Sequence, residues 1–459
     1  MIVAVALDLG TTSIKAGLVS AEGELSGNAV RHAPPVTAEA GRYESDAAAY
    51  ADTADAVLAE SLARTSERPP LGLCSQRSSF VIWERASGRP VTPLISWQDD
   101  RGMACCEALR EKEGSIRAIT GLPLTPYYLA PKLSVLLGEH PEWRSHLASG
   151  VWMLGTLDTF LIWRWTGGRH HVTDASMAAR TLLMDVHGLQ WSAELCDLFG
   201  VDAAFLPEIL PSAGLKIVLD NGLCLRASVA DQSAALWHDI APGRREAMVN
   251  LGTGGFVAAF CSQGCGEPAG YLQTLVCVDA QQQVHMACEG TLNSITAALA
   301  AYPVEICSPE ELASDKIYCV AEPSGLGAPY FRRDIGLSFS ESVSHLDSHR
   351  TALLLQESII FRVARIIEDF QRELDVEDVY LAGGLSNLLC LQQGIACLVP
   401  AAYRISSGEA GLLGVAQLAS GVGAGGFRHA KKIKLNPVQS RLQKKFKGWK
   451  QWLDGLLKS

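Results

Sequence analysis

Apolar residues run through Val3–Leu7 and stop at Asp8. A glycine and three hydroxyl residues follow, and the apolar pattern resumes at Ile14, Ala16 and Leu18. Strand, tight turn and strand are predicted over 3–19, with a carboxylate at the mouth of the turn. The pattern returns over Ala247–Phe260: an apolar run to Asn250, then Leu251-Gly252-Thr253 and a second apolar run. This short echo implies two related domains, each presenting a glycine turn.

Between the hairpins the pattern predicts a helix over 47–65 and strands over 71–77, 79–84 and 91–97. The stretch 97–101 is expected to open a helix, with Asp99 and Asp100 in its first turn. Residues 121–210 read as a mostly helical insertion, punctuated by Pro123, Pro126, Pro131 and Pro141. Asp231 falls where a helix begins, and 240–245 is a turn suited to a domain boundary. Beyond the second hairpin, Ile359, Val363, Ile366, Ile367 and Phe370 mark one face of a helix over 356–374. A strand over 379–382 runs into Gly383-Gly384, Ser386 and Asn387 open a helix, and 401–405 is a strand. A further helix opens near Glu409. Strands followed by helices in this way indicate an α/β protein.

From about Arg428 the chain turns basic, and 438–457 fits an amphipathic helix carrying Leu442, Phe446, Trp449, Trp452, Leu453 and Leu456. It reads either as an appendage packed on its own domain or as a contact for a partner, a membrane surface or another anionic surface.

At 459 residues the chain exceeds one core, so two or three domains are expected. Its 48% hydrophobic and 19% charged residues are those of an ordinary globular protein. The net charge of −10 argues against general nucleic-acid binding. Thirteen cysteines are scattered without a C-x-x-C pair, and neither Cys105-Cys106 nor Cys261 with Cys265 matches a zinc spacing. They read as small core residues in a reducing, cytoplasmic setting. A basic segment before the first apolar run is missing and Asp8 interrupts that run, so no signal peptide is expected. No apolar stretch is long enough to span a bilayer.

Candidate chemistry sits in the turns. Gly10 lets a phosphate approach the backbone, Thr11, Thr12 and Ser13 offer donors, and Lys15 adds positive charge. Asp8 suits this setting when a Mg²⁺ lies between carboxylate and phosphate. An ordinary polar hairpin is the alternative. The second turn has Asn250 in place of Asp8, so it is expected to meet phosphate through N–H groups and Thr253 and to hold no metal. Gly383-Gly384 is either a cradle for a ring or ribose or a tight turn. Asp231 taken alone is a helix cap. His170-His171 has no ligand cluster around it and reads as a surface loop.

Taken in order, Asp8-Leu9-Gly10-Thr11-Thr12-Ser13, Gln76-Arg77 with Trp97-Gln98-Asp99, Ala230-Asp231-Gln232, Gly252-Thr253-Gly254, and Gly383-Gly384 with Glu409-Ala410-Gly411 resemble the FGGY carbohydrate kinases. These include glycerol, xylulose and ribulose kinases. The resemblance reaches about Ala424 and takes in 325–330. It implies an α/β fold of two actin-like, ribonuclease H-like domains flanking a deep nucleotide cleft. The spans expected are 1–241 for the acceptor and Mg-phosphate side, 242–424 for the adenosine side, and 425–459 for the basic tail.

The implied activity is ATP-dependent phosphorylation of a hydroxyl on a small polyol or sugar. Asp231 would be the general base and Asp8 would hold Mg²⁺. Gly10, Thr11, Thr12, Ser13 and Lys15 would line the phosphate path, faced by Gly252, Thr253 and Gly254. Gly383, Gly384 and Asn387 would cradle adenosine. Arg77, Ser78, Trp97, Tyr127, Gln232 and Phe256 would meet the acceptor. Glycerol kinases carry Gln-Arg-Glu where this chain has Gln76-Arg77-Ser78, and the Gln-Met-His of xylulose kinases is also absent. The shorter, uncharged Ser78 implies a pocket for a longer polyol or ketose than glycerol. Val135 departs from the usual tryptophan near Lys132. The alternatives are a ketopentose kinase of the same family, an actin-like or chaperone-like ATPase, and a ligand sensor; a homodimer stays open.

Overall fold

A computed structural model describes residues 1–252, 254–261, 270–405, 408–435 and 439–458. Thr253, Cys265 and Val438 lie outside the described residues. The chain divides into two compact units. The first comprises Met1–His238, Thr274–Met286 and Glu409–Phe427; the second comprises Asp239–Gln273, Ala287–Gly408 and Arg428–Ser459.

In the first unit Ile2–Leu9 pairs antiparallel with Ser13–Ser20 and parallel with Leu71–Ser75. That strand runs parallel to Cys224–Ala230, and Ala213–Val218 closes the edge antiparallel. Val5, Leu7, Leu9, Leu71 and Leu73 are fully buried, as expected for central strands covered on both faces. The second unit repeats the succession. Glu246–Leu251 pairs antiparallel with Gly255–Cys261 and parallel with Asp378–Ala382, which pairs parallel with Ala401–Ile405. Ala430–Lys432 closes that edge antiparallel. The echo between the hairpins is thus one part of a repeated sheet topology.

The units are not consecutive spans. The helix Ala410–Ser420 packs on the first unit's strands, where Gly72 and Gly414 leave room. A Cβ on Gly72 would lie 2.7 Å from the Val415 carbonyl oxygen, and one on Gly414 only 1.8 Å from that of Ala234. The hairpin over 274–286 is tied to the same unit. The Val278 amide donates to Ser212 Oγ at 3.1 Å, and His285 packs edge-on against Trp237. Hydrophobic periodicity reports which face is buried and is silent on which sheet buries it.

Several predicted elements have different bounds. The strand expected over 91–97 shrinks to Leu94–Ile95. Pro90 and Pro93 bring no N–H donors to a ladder there. The helix expected from Trp97 starts only at Met103. Asp99 instead accepts from the Tyr43 amide at 2.7 Å and pairs with Arg101 at 2.7 Å, buried. The region 121–210 mixes helices with strands, and Trp152–Thr156 joins the sheet beside Phe80–Glu84. The long helix begins at Ser348, eight residues before the expected Gln356, because Asp347 caps it by accepting from the Arg350 amide. A 3-10 turn over Gly384–Asn387 precedes the helix Leu389–Leu398.

The basic tail folds as a helix, Gln439–Leu456, and belongs to the second unit. Leu442, Phe446, Trp449 and Leu453 are buried in that unit's core, and Phe361 stacks on Phe446. The described cysteines form no disulfide. His171 is engaged at the Leu154 carbonyl, 2.8 Å away, and among the described residues no group of His, Cys, Asp and Glu is arranged to hold a metal directly. No described helix is long and apolar enough to cross a membrane.

Candidate active site

Three adjacent parallel strands of the first unit end at one level. Leu9 and Ala230 both stand in register with Ser75. The residues at or just past these ends are Asp8 with Gly10–Ser13, Gln76 with Arg77, and Asp231 with Gln232. The carboxyl ends of parallel strands are where open α/β sheets gather their polar chemistry. Residues distant in sequence therefore meet because the sheet register brings them level.

Asp231 opens the helix Asp231–Asp239 and is a third exposed at its side chain. Its Oδ1 accepts from the Gln232 amide at 2.7 Å and lies 3.9 Å from Arg77 Nε. The Arg77 guanidinium, itself buried, also donates to Gln232 Oε1. Burial pushes the Asp231 carboxyl above the usual range, against the opposing pull of Arg77 and Arg180. A carboxylate raised in this way is a better proton acceptor than one in the ordinary range.

Asp8 lies near enough to feel Asp231. Burial raises its pKa to about 7, and the Asp231 charge adds to the rise; the Cys74 thiol donates to it, and Lys15 acts the other way. Lys15 Nζ is paired with Glu409 at 2.9 Å, just before the helix that packs on these strands. At Gly10 a Cβ would sit 2.8 Å from the Ser13 carbonyl oxygen, to which the Gly10 amide donates at 3.2 Å. That turn is too tight for a side chain.

A hydrogen-bond chain couples this turn to Trp97. The Trp97 indole donates to Thr11 Oγ1 at 2.8 Å, and Thr11 donates to Gln76 Oε1 at 3.2 Å. Tyr50 donates to the Gly10 carbonyl at 2.7 Å and accepts from Gln76. Tyr127 packs against the Trp97 ring, centroids 5.2 Å apart. Thr12 is exposed, and Ser13 begins the second strand. Ser78 takes a left-handed φ of +64° and is wholly buried, and its hydroxyl donates to the Arg180 carbonyl at 2.9 Å.

Phe256 is half-buried on a strand of the second unit. There the Gly252 amide donates to the Gly254 carbonyl at 2.8 Å. Gly383 follows the strand Asp378–Ala382 with φ +85°, and a Cβ would meet the Leu251 carbonyl oxygen at 2.4 Å. Only glycine fits that crossing. Gly384 has no neighbour within 4 Å of a Cβ, and Asn387 accepts from Arg404.

Arg180, Glu409 and Lys132 were not picked out from sequence as site residues. Arg180 is buried; its charge reaches Asp231, and it donates to Thr274 Oγ1 at 2.7 Å. The available signal was a lone arginine within an otherwise apolar and small-residue run, 175–184, since a buried charge requires partners.

The repeated hairpin-and-parallel-strand sheets define a two-domain, actin-like α/β protein. Residues 3–222 match the N-terminal domain of the FGGY family of carbohydrate kinases. A glycerol kinase of Thermus brockianus is 34% identical over 385 residues, covering 79% of this chain and 77% of that one. A glycerol kinase of Pseudomonas putida is 30% identical over 441 residues, covering 90% and 87%. Among solved structures, a Plasmodium falciparum glycerol kinase with ADP superposes with TM-score 0.85 at 22% identity, over 98% of each chain. A ligand-bound xylulose kinase from Lactobacillus acidophilus gives 0.79 at 19%, over 99% and 98%. The chain belongs to the FGGY family of carbohydrate kinases. It is an ATP-dependent kinase acting on a hydroxyl of a small polyol or sugar, which removes the chaperone-like ATPase alternative.

Proposed function

We propose that Asp231 is the general base of this kinase and that the acceptor is a polyol or ketose longer than glycerol. Support for Asp231 comes from its position at the carboxyl end of a parallel strand, beside Arg77 and in the field of Asp8. It would take the proton of the acceptor hydroxyl as that oxygen attacks the terminal phosphoryl group of ATP. Arg77 and Gln232 would orient the acceptor, with Trp97 and Tyr127 forming its apolar surround. Gly10, Thr11, Thr12, Ser13 and Lys15 would receive phosphate oxygens, Gly252, Thr253 and Gly254 would do the same from the second hairpin, and Gly383, Gly384 and Asn387 would receive adenosine.

The residues present suit Mg²⁺. Asp8 offers hard oxygen ligands; burial raises its pKa most, and the Asp231 and Glu409 charges add to the rise, so a cation there would relieve the carboxylates' repulsion. A bound Mg²⁺ would neutralise phosphate charge. Asp8 would hold it mainly through water.

Support for the longer acceptor comes from position 78. Serine supplies no carboxylate there, and its hydroxyl is already given to the Arg180 carbonyl. Initial rates across glycerol, erythritol, xylitol, D-ribulose and D-xylulose test this. A four- or five-carbon compound should exceed glycerol in kcat/KM; glycerol as the best acceptor would overturn the size argument and leave the kinase assignment standing. Asp231→Asn should lower kcat by about 10³-fold with ADP affinity by calorimetry unchanged. Wild-type turnover in that variant would exclude Asp231 as the base.

A further inference from the structure

Lys132 is wholly buried on the helix Leu129–Glu139. Its Nζ donates to three backbone carbonyls: Ser78 at 3.0 Å, Ser96 at 2.9 Å and Tyr127 at 3.1 Å. Those carbonyls lie on three segments far apart in sequence. Ser78 follows Arg77, Ser96 precedes Trp97, and Tyr127 is the third acceptor-side residue itself. We propose that Lys132 is a positioning residue that clamps these segments together and so sets the geometry of the acceptor pocket. The inference rests on the acceptor-site assignment made above.

The chemistry of the amine supports a clamp. An ammonium carries three N–H donors and no acceptor, so three carbonyls satisfy it completely. A methionine of similar volume would fill the space without the cost of burying a charge, yet it would release all three carbonyls. Burial disfavours the charged form, while Asp99 and Asp100 favour it and Arg101 opposes it. The Phe80 ring lies 6.0 Å beneath the amine. The clamped segments also hold one another. Ser79 Oγ accepts from the Trp97 amide at 3.0 Å, and Tyr127 packs on Trp97. The left-handed φ at Ser78 is not a conformation serine prefers. Its carbonyl is fixed by Lys132 and its hydroxyl by Arg180, which together hold that turn.

Lys132 touches no reacting group, so its removal should act on acceptor binding before chemistry and leave the nucleotide alone. Steady-state kinetics on Lys132→Met and the milder Lys132→Gln test this, using the best acceptor of the five-compound panel. Acceptor KM should rise about tenfold or more, with the KM for ATP unchanged within twofold and kcat reduced less than acceptor KM is raised. A folded variant with unchanged acceptor KM, or with both KM values raised alike, overturns the proposal. Folding is checked by circular dichroism. Should Lys132→Met not fold, a double-mutant cycle of Lys132→Gln with Arg77→Lys decides: the effect of Lys132→Gln on acceptor KM should shrink in the Arg77→Lys background, and full additivity overturns the clamp. Arg77→Lys alone separates the two readings. If it leaves acceptor KM unchanged, the acceptor-site assignment fails; if it raises KM while Lys132→Gln does not, only the clamp fails.

Discussion

Asp174 accepts three hydrogen bonds in full burial, from the Ser176 and Met177 amides and from Ser212 Oγ. Burial pushes its pKa to about 7, with Asp158 adding to the rise. The folded chain therefore keeps a proton that the unfolded chain loses near pH 4. Stability falls as pH rises between those values, by up to about 1.4 kcal/mol per pH unit for one proton. Asp174→Asn should flatten the slope of urea-unfolding stability between pH 4.5 and 7. The slope is reduced rather than removed, because Asp8 is also raised to about 7 and acts with the same sign. Asp8 stood out in the sequence because it ends an apolar run before a glycine turn, whereas Arg77 and Asp231 gained their expected roles only through the family resemblance. Ser78 stood out only by departure from a family pattern, and nothing in its identity foretold a left-handed φ or a bond to Arg180.

Two helices join what the sequence keeps apart. Ala410–Ser420 runs against the strands that end at Asp8 and Asp231, and its approach depends on Gly72 and Gly414. Gly414→Ala forces a Cβ into the Ala234 carbonyl. It should destabilise the fold by about 1–3 kcal/mol and raise the KM for ATP by shifting Glu409 away from Lys15, read by thermal melting and kinetics. The glycines were visible in the sequence; their meeting with other backbones was not. The second case is the tail helix. Its periodicity showed an apolar face, and the structure buries that face. Lys445 pairs with Glu357, both buried, and Lys450 pairs with Glu368 at 2.7 Å. Lys445→Met strands the Glu357 carboxylate and should cost about 3–5 kcal/mol, with much of it recovered when Glu357→Gln is added. Denaturant midpoints of the two variants check this.

For the whole molecule, the tail is part of the second unit's core. Truncation before residue 439 exposes Leu442's and Trp449's sockets and should leave the protein aggregation-prone, measured as soluble yield and melting temperature. The sequence by itself determined the two strand–turn–strand units, the carboxylate at the mouth of the first, the glycines in both turns, and the kinase family. Each of these is local, written in runs of a few residues whose polarity and conformational freedom suffice. Tertiary structure alone decided that Glu409 pairs with Lys15, that the charge of Arg180 reaches Asp231, that the tail is core, and that one buried ammonium ties three segments together. Apart from the short reach from Lys132 to Tyr127, such contacts join residues dozens to hundreds of positions apart. They depend on sheet register and on how closely a helix can approach a strand, and neither quantity is encoded in the spacing of residues along the chain.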